Sequence, residues 1–117
     1  MKYLLMCHIQ AAEMAKVPEA ARQQMMQAMM AYNQQLIGAG VLAAAGQLAM
    51  PQEAIRVSLA SGQLSEARGP ALEGATQIGD YYVVDVPGEP EAVSWAAKCP
   101  LARFGALEVR QIAFSPL

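Results

Sequence analysis

The chain contains one histidine, one tryptophan and two cysteines, and charged residues make up only 15% of it. Each scarcity excludes something. Cysteines as far apart as Cys7 and Cys99 form neither a disulfide framework nor a paired-thiolate zinc site, which fits a reducing compartment. Eight Lys and Arg against ten Asp and Glu leave a formal charge of −2. With no basic cluster, the chain has no footprint for a phosphate backbone, so no nucleic acid partner is expected. Every apolar run is cut by Gly, Gln or Pro short of the roughly 18 residues that a membrane span needs, and Met1-Lys2-Tyr3 leads straight into a strand-like stretch. The expectation is an unprocessed cytoplasmic protein without a membrane partner. No Gly-rich phosphate loop, serine nucleophile elbow or metal-ligand cluster occurs, so neither a metal nor another cofactor is expected.

Apolar residues, by contrast, make up 55% of the 117 positions. That length suits one core, and the whole chain, 1–117, reads as a single domain. So large an apolar share leaves little polar surface to cover a small monomer, which points to a partner, most simply a second copy in a homodimer.

The patterns then give an order of elements. Lys2 to Ile9 is almost wholly apolar, as in a strand covered on both faces. Pro18-Glu19 opens a helix whose apolar positions Ala21, Met25, Met29, Tyr32 and Leu36 recur every three or four residues, and Gly38 and Gly40 end it. Val41 to Leu48 reads as a second strand. Ile55 to Leu59 alternates apolar and polar side chains and turns at Ser61-Gly62 into Gln63-Leu64-Ser65, a hairpin. Ile78 to Val86 is a further strand. Glu89-Pro90-Glu91 starts a second helix that closes with Lys98 before Pro100, acids and base complementing the helix dipole. Ala106 to Ala113 is the last strand. The stretch from Gln10 to Val17 reads as a loop and a candidate pocket lid. Two helices within a mainly antiparallel sheet predict an α+β, ferredoxin-like split βαβ fold with both helices on one face.

Several segments resemble the YCII-related (DGPF-type) family over essentially the whole chain. They are Met1 to Met6, Gly40-Val41-Leu42, Gly69-Pro70, Gly79 to Asp85, the run Trp95 to Arg103, then Gly105 and Glu108-Val109-Arg110. The resemblance implies a ferredoxin-like protomer that pairs into a dimeric α+β barrel, with two sheets enclosing a shared interior. The chain departs from the family pattern where function is concerned. Arg68-Gly69-Pro70-Ala71 stands where the family reads Asp-Gly-Pro-Phe, and Glu73-Gly74-Ala75 lacks the lysine that often follows. The family's helix histidine falls near Met29 and its Asp before proline becomes Cys99, so the proton-transfer pair is absent.

Few polar residues remain as candidates. His8 shares a strand face with Leu4 and Met6 and is the candidate catalytic base, against the plainer reading of a structurally satisfied histidine. Arg68 with Gly69 and Pro70 is a candidate anion site, against a solvated surface arginine. Glu108 and Arg110 share a strand face that Arg56 and Arg103 reach if the strands pair as in the family; an ion-pair network is the competing reading. Tyr82 is a candidate hydroxyl donor, and Met29 and its neighbours line either core or a flexible apolar pocket. The functions these residues support are a small-molecule-binding dimer or a cofactor-independent acid–base enzyme of isomerase, lyase or cyclase type. The substrate expected is a partly apolar metabolite, with an anionic group if Arg68 binds it. The family resemblance implies the alternatives: a non-catalytic stress or sigma-factor-associated regulatory partner, or, by analogy with other dimeric α+β barrels, a cofactor-free monooxygenase-like enzyme.

Overall fold

The first apolar run folds as strand β1, Lys2–Gln10, in the middle of the main sheet of the computed structural model, which describes residues 1–117. After it come α1 (Ala11–Ala15), α2 (Glu19–Gly38), β2 (Leu42–Gln47), β3 (Ile55–Ala60), β4 (Gln63–Arg68), β5 (Thr76–Asp85), α3 (Glu89–Lys98) and β6 (Gly105–Gln111). Short 3₁₀ turns at Pro51–Glu53 and Pro100–Arg103 link the elements. The stretch from Gln10 to Val17 is therefore not a plain loop, because Ala11–Ala15 closes one and a half helical turns directly onto the end of β1.

The main sheet has the order β2-β5-β1-β6, and every neighbouring pair is antiparallel. With the β3–β4 hairpin set aside, this is the ferredoxin-like arrangement, and the hairpin is an insertion between its second and third strands. The hairpin forms its own two-stranded sheet. Ser61 and Gly62 at its tip both take positive φ, 50° and 77°, as a tight hairpin turn requires.

Period-two alternation sorts the side chains of the sheet. Tyr3, Leu5 and Cys7 of β1 and Tyr82 and Val84 of β5 are buried beneath the helices, with Tyr32 and Leu36 of α2, Ala92 and Ala96 of α3, and Leu101. Tyr32 anchors this layer by donating its hydroxyl to the Trp95 carbonyl at 2.8 Å and meeting the Tyr82 ring edge-on at 5.4 Å. The fully buried residues of α2, Tyr32 and Leu36, both lie in its second half, while Met25 and Met29 pack against the core only in part. Toward its N-terminus Met26 is exposed and no residue is fully buried, so the helix lies more loosely on the sheet there.

No helix is long and apolar enough to cross a membrane. The sheet face opposite the helices carries Leu4, Met6 and His8 from β1 and Tyr81 and Val83 from β5, all half-buried. Glu108 and Arg110 of β6 lie exposed on the same face.

Candidate functional site

Where α2 lies more loosely on the sheet, a cleft of about 810 Å³ opens between α1, α2, β2 and the start of β5. Its size lies within the range of small-molecule sites. Ile9, Met14, Met25, Met29, Met50 and Leu101 give it an apolar wall. Methionine thioethers are flexible and polarisable, so such a wall adapts its shape to a flat or irregular ligand.

Into this wall β5 places one acid. Asp80 lies opposite Cys7 in the sheet register and, by alternation, on the same face as Tyr82, which turns its carboxyl toward the helices and into the cleft. The register between β1 and β5 slips between Cys7 and His8, so a β-bulge sits immediately beside Asp80. Bulges re-aim neighbouring side chains and are frequent next to functional sites. A Cβ at Gly79, beside the bulge, would stand 2.7 Å from Cδ1 of Ile9, so the Ile9 side chain would have to move to admit it.

Burial pushes the Asp80 carboxyl above its ordinary value of 3.8, with no hydrogen bond or neighbouring cation to hold it down. Beside it the Tyr82 hydroxyl donates to Oδ1 of Asn33 at 2.8 Å, and burial pushes this phenol up so that it stays protonated. Arg22 stands at the rim. The cleft therefore offers an acid that can give and retake a proton, a fixed amide and phenol pair, and one peripheral cation.

The positions at which the resemblance expects a proton-transfer pair lie around this cleft. Met29 is part of its wall, and Cys99 is a buried core residue two positions before Leu101, which lines it. The neighbouring Cys99 thiol together with burial raises the Cys7 thiol. Asp80 was not singled out in the sequence. Its signal was present nonetheless, as a carboxylate inside the strand rather than at its end, two residues from Tyr82 and hence on its face.

The other sequence candidates are dispersed. Tyr82 lines the cleft with Met29. His8 is on the opposite sheet face, where its Nε2 meets Oε1 of Glu108 at 2.9 Å, with Arg110 Nε 3.8 Å from the other carboxylate oxygen. Arg68 ends β4 and donates to the Glu53 carbonyl at 3.2 Å, so its guanidinium braces the root of the hairpin. Gly69, with a φ of 116°, and Pro70 follow it there. Arg56 lies on the hairpin itself. Arg103 borders a second, smaller hollow of about 480 Å³ with Gln10, Glu13 and Lys16. Arg56 and Arg103 thus do not join Glu108 and Arg110, because the hairpin and the turn before β6 carry them to other parts of the surface.

The model of one protein family, the YCII-related domain, matches residues 1–114. No functionally curated protein is similar enough to the chain to serve as a relative. Among solved structures, the chain is similar to 5-chloro-2-hydroxyhydroquinone dehydrochlorinase (TftG) from Burkholderia phenoliruptrix AC1100, in its complex with 2,5-dihydroxybenzoquinone. The TM-score is 0.56 at 14% identity, covering 98% of this chain and 96% of that one, which is a likeness of fold.

Proposed function

The chain belongs to the YCII-related family, and from that premise we propose that it binds a small, partly apolar molecule in the helix–sheet cleft and moves a proton on it through Asp80. The observation that carries this reading is the unpaired, half-buried carboxyl at the end of a methionine-lined wall. A carboxyl held above its usual range divides its population between acid and base nearer neutrality, where proton transfer in both directions is efficient. It can protonate a ligand oxygen and, once ionised, remove a proton from an adjacent carbon or hydroxyl. That sequence serves isomerisation, elimination or cyclisation without a cofactor. Tyr82 and Asn33 would orient a polar edge of the ligand, and Arg22 would favour an anionic substituent at the mouth.

The ligand class follows from the lining. An aromatic or quinonoid ring suits the methionine wall, and the fold neighbour's 2,5-dihydroxybenzoquinone is a suitable first probe. Thermal melting with that quinone, benzoate and a neutral phenol tests binding, since a ligand at a hundredfold excess over its Kd adds about 2.7 kcal/mol to the native state. For a ligand that is turned over, Asp80→Asn should lower kcat by about 10² or more while binding persists. Unchanged turnover in that variant would remove Asp80 from the chemistry, and a cleft that stabilises with no member of the panel would count against the ligand class.

A second reading rests on the His8–Glu108 contact. A carboxylate 2.9 Å from Nε2 orients the imidazole and fixes which ring nitrogen faces it. If two protomers pair through their open sheet faces into a homodimer, this dyad lies inside the shared chamber and becomes the base. His8→Gln distinguishes the two, because it impairs turnover only under the second reading.

A further inference from the structure

The β3–β4 hairpin is amphipathic in a way that its own chain does not use. The pairing Ile55↔Arg68, Val57↔Glu66 and Leu59↔Leu64 puts these six residues on one face of the ribbon. Arg56, Ser58, Ala60, Gln63, Ser65 and Ala67 occupy the other. On the first face Ile55, Val57, Leu59 and Leu64 are all exposed, Leu59 to 71%. The substantial contacts of the hairpin are between its own two strands. A lone two-stranded hairpin is marginal in water, so four bare apolar side chains on one of its faces require a cover.

The whole chain carries the same deficit. Its accessible surface is 8077 Å², whereas a compact monomer of 12.5 kDa should expose about 6,200 Å². The Cα radius of gyration is 16.1 Å, against about 13 Å for a compact domain of this length. The excess of roughly 1,900 Å² is about twice what one partner contributes to a standard interface. A shape extended by an arm, with surplus surface on that scale, is what a protomer completed by its own copy presents.

We propose that the β3–β4 hairpin is a dimerisation arm whose Ile55, Val57, Leu59 and Leu64 face packs against a second copy of this chain. The same face bears one acid, Glu66, and one base, Arg68, so a two-fold copy brings charges of both signs to the contact and allows Glu66 of each protomer to meet Arg68 of the other. The inference rests on the homodimer reading and adds the arm to it, beyond the pairing of open sheet faces. The arm springs from Met50 and Pro51 on the rim of the cleft. Dimerisation through it therefore ties the order of that rim to assembly.

Sedimentation equilibrium of the full chain tests this. The variant Val57→Asp/Leu59→Asp alters only exposed positions, and its fold is checked by circular dichroism. The native chain should be a dimer at micromolar concentration, and the variant should weaken it by about thirtyfold or more in Kd. Ser58→Asp, on the opposite face, should leave it unchanged. A native dimer whose Kd is the same in the double variant would overturn the arm while sparing the homodimer. A native monomer at tens of micromolar would overturn both. The cleft reading is scored separately, by ligand-induced melting shifts.

Discussion

Tyr82 of β5 and Asn33 of α2 are joined by a hydrogen bond of 2.8 Å at the point where the helix begins to lie more loosely on the sheet. The bond marks the inner end of the cleft, and it fixes the phenol that flanks Asp80. Tyr82→Phe keeps the ring against Tyr32 and leaves the amide without its donor. The expected cost is about 0.5–1.5 kcal/mol, seen as a lower midpoint with an unchanged slope in urea unfolding. Ligand affinity should fall by more than stability alone explains.

The raised Asp80 carboxyl makes a statement about pH. A group whose folded pKa lies above its unfolded one binds its proton more tightly in the native state, so its ionisation disfavours the fold. Stability should therefore decline as pH rises from the ordinary value of 3.8 through the raised value of Asp80, then level off. Asp80→Asn should remove this decline and be the more stable form above the transition. Urea unfolding across an acid-to-neutral pH series, native chain against variant, reads the difference.

Gly105 starts β6 against the backbone of β1, where a Cβ would run into the His8 carbonyl oxygen. Backbone cannot give way as a flexible side chain can. Gly105→Ala should push the start of β6 from β1, destabilise by about 1–3 kcal/mol and disturb the His8–Glu108 contact, since Glu108 lies three residues along the displaced strand. The loss in chemical denaturation, with cleft binding retained, is the expected pair of results. A variant as stable as the native chain would show that the strands adjust freely.

The ferredoxin-like fold was legible because its signals are local. The apolar run of β1, the heptad-like spacing from Ala21 to Leu36, the Ser61-Gly62 turn and the dipole-matched ends of α3 each name an element without reference to the rest. α1 was not legible, since Ala11 to Ala15 is too short to show a helical period. The cleft was not legible either, because it arises from α2 being fully buried only at Tyr32 and Leu36, a tertiary fact that the even spacing of its apolar residues conceals. Asp80 was hidden for a related reason. Its neighbours Tyr81 and Tyr82 dominate that strand, and only the face of Tyr82, once known to border a cavity, shows what the acid two positions away is for. The hairpin arm, by contrast, was fully readable as a hairpin, and what sequence could not supply was that nothing in its own chain covers it.

The methionines offer the most direct test of where a ligand sits. Of the eight in the chain, Met14, Met25, Met26, Met29 and Met50 line the cleft, while Met6 lies on the opposite sheet face beside His8. Titrating isotope-labelled methionine methyl groups with 2,5-dihydroxybenzoquinone, followed by NMR, should shift the cleft methyls together and leave Met6 in place. Movement of Met6 with the cleft methyls still would place the ligand on the open sheet face and contradict the account.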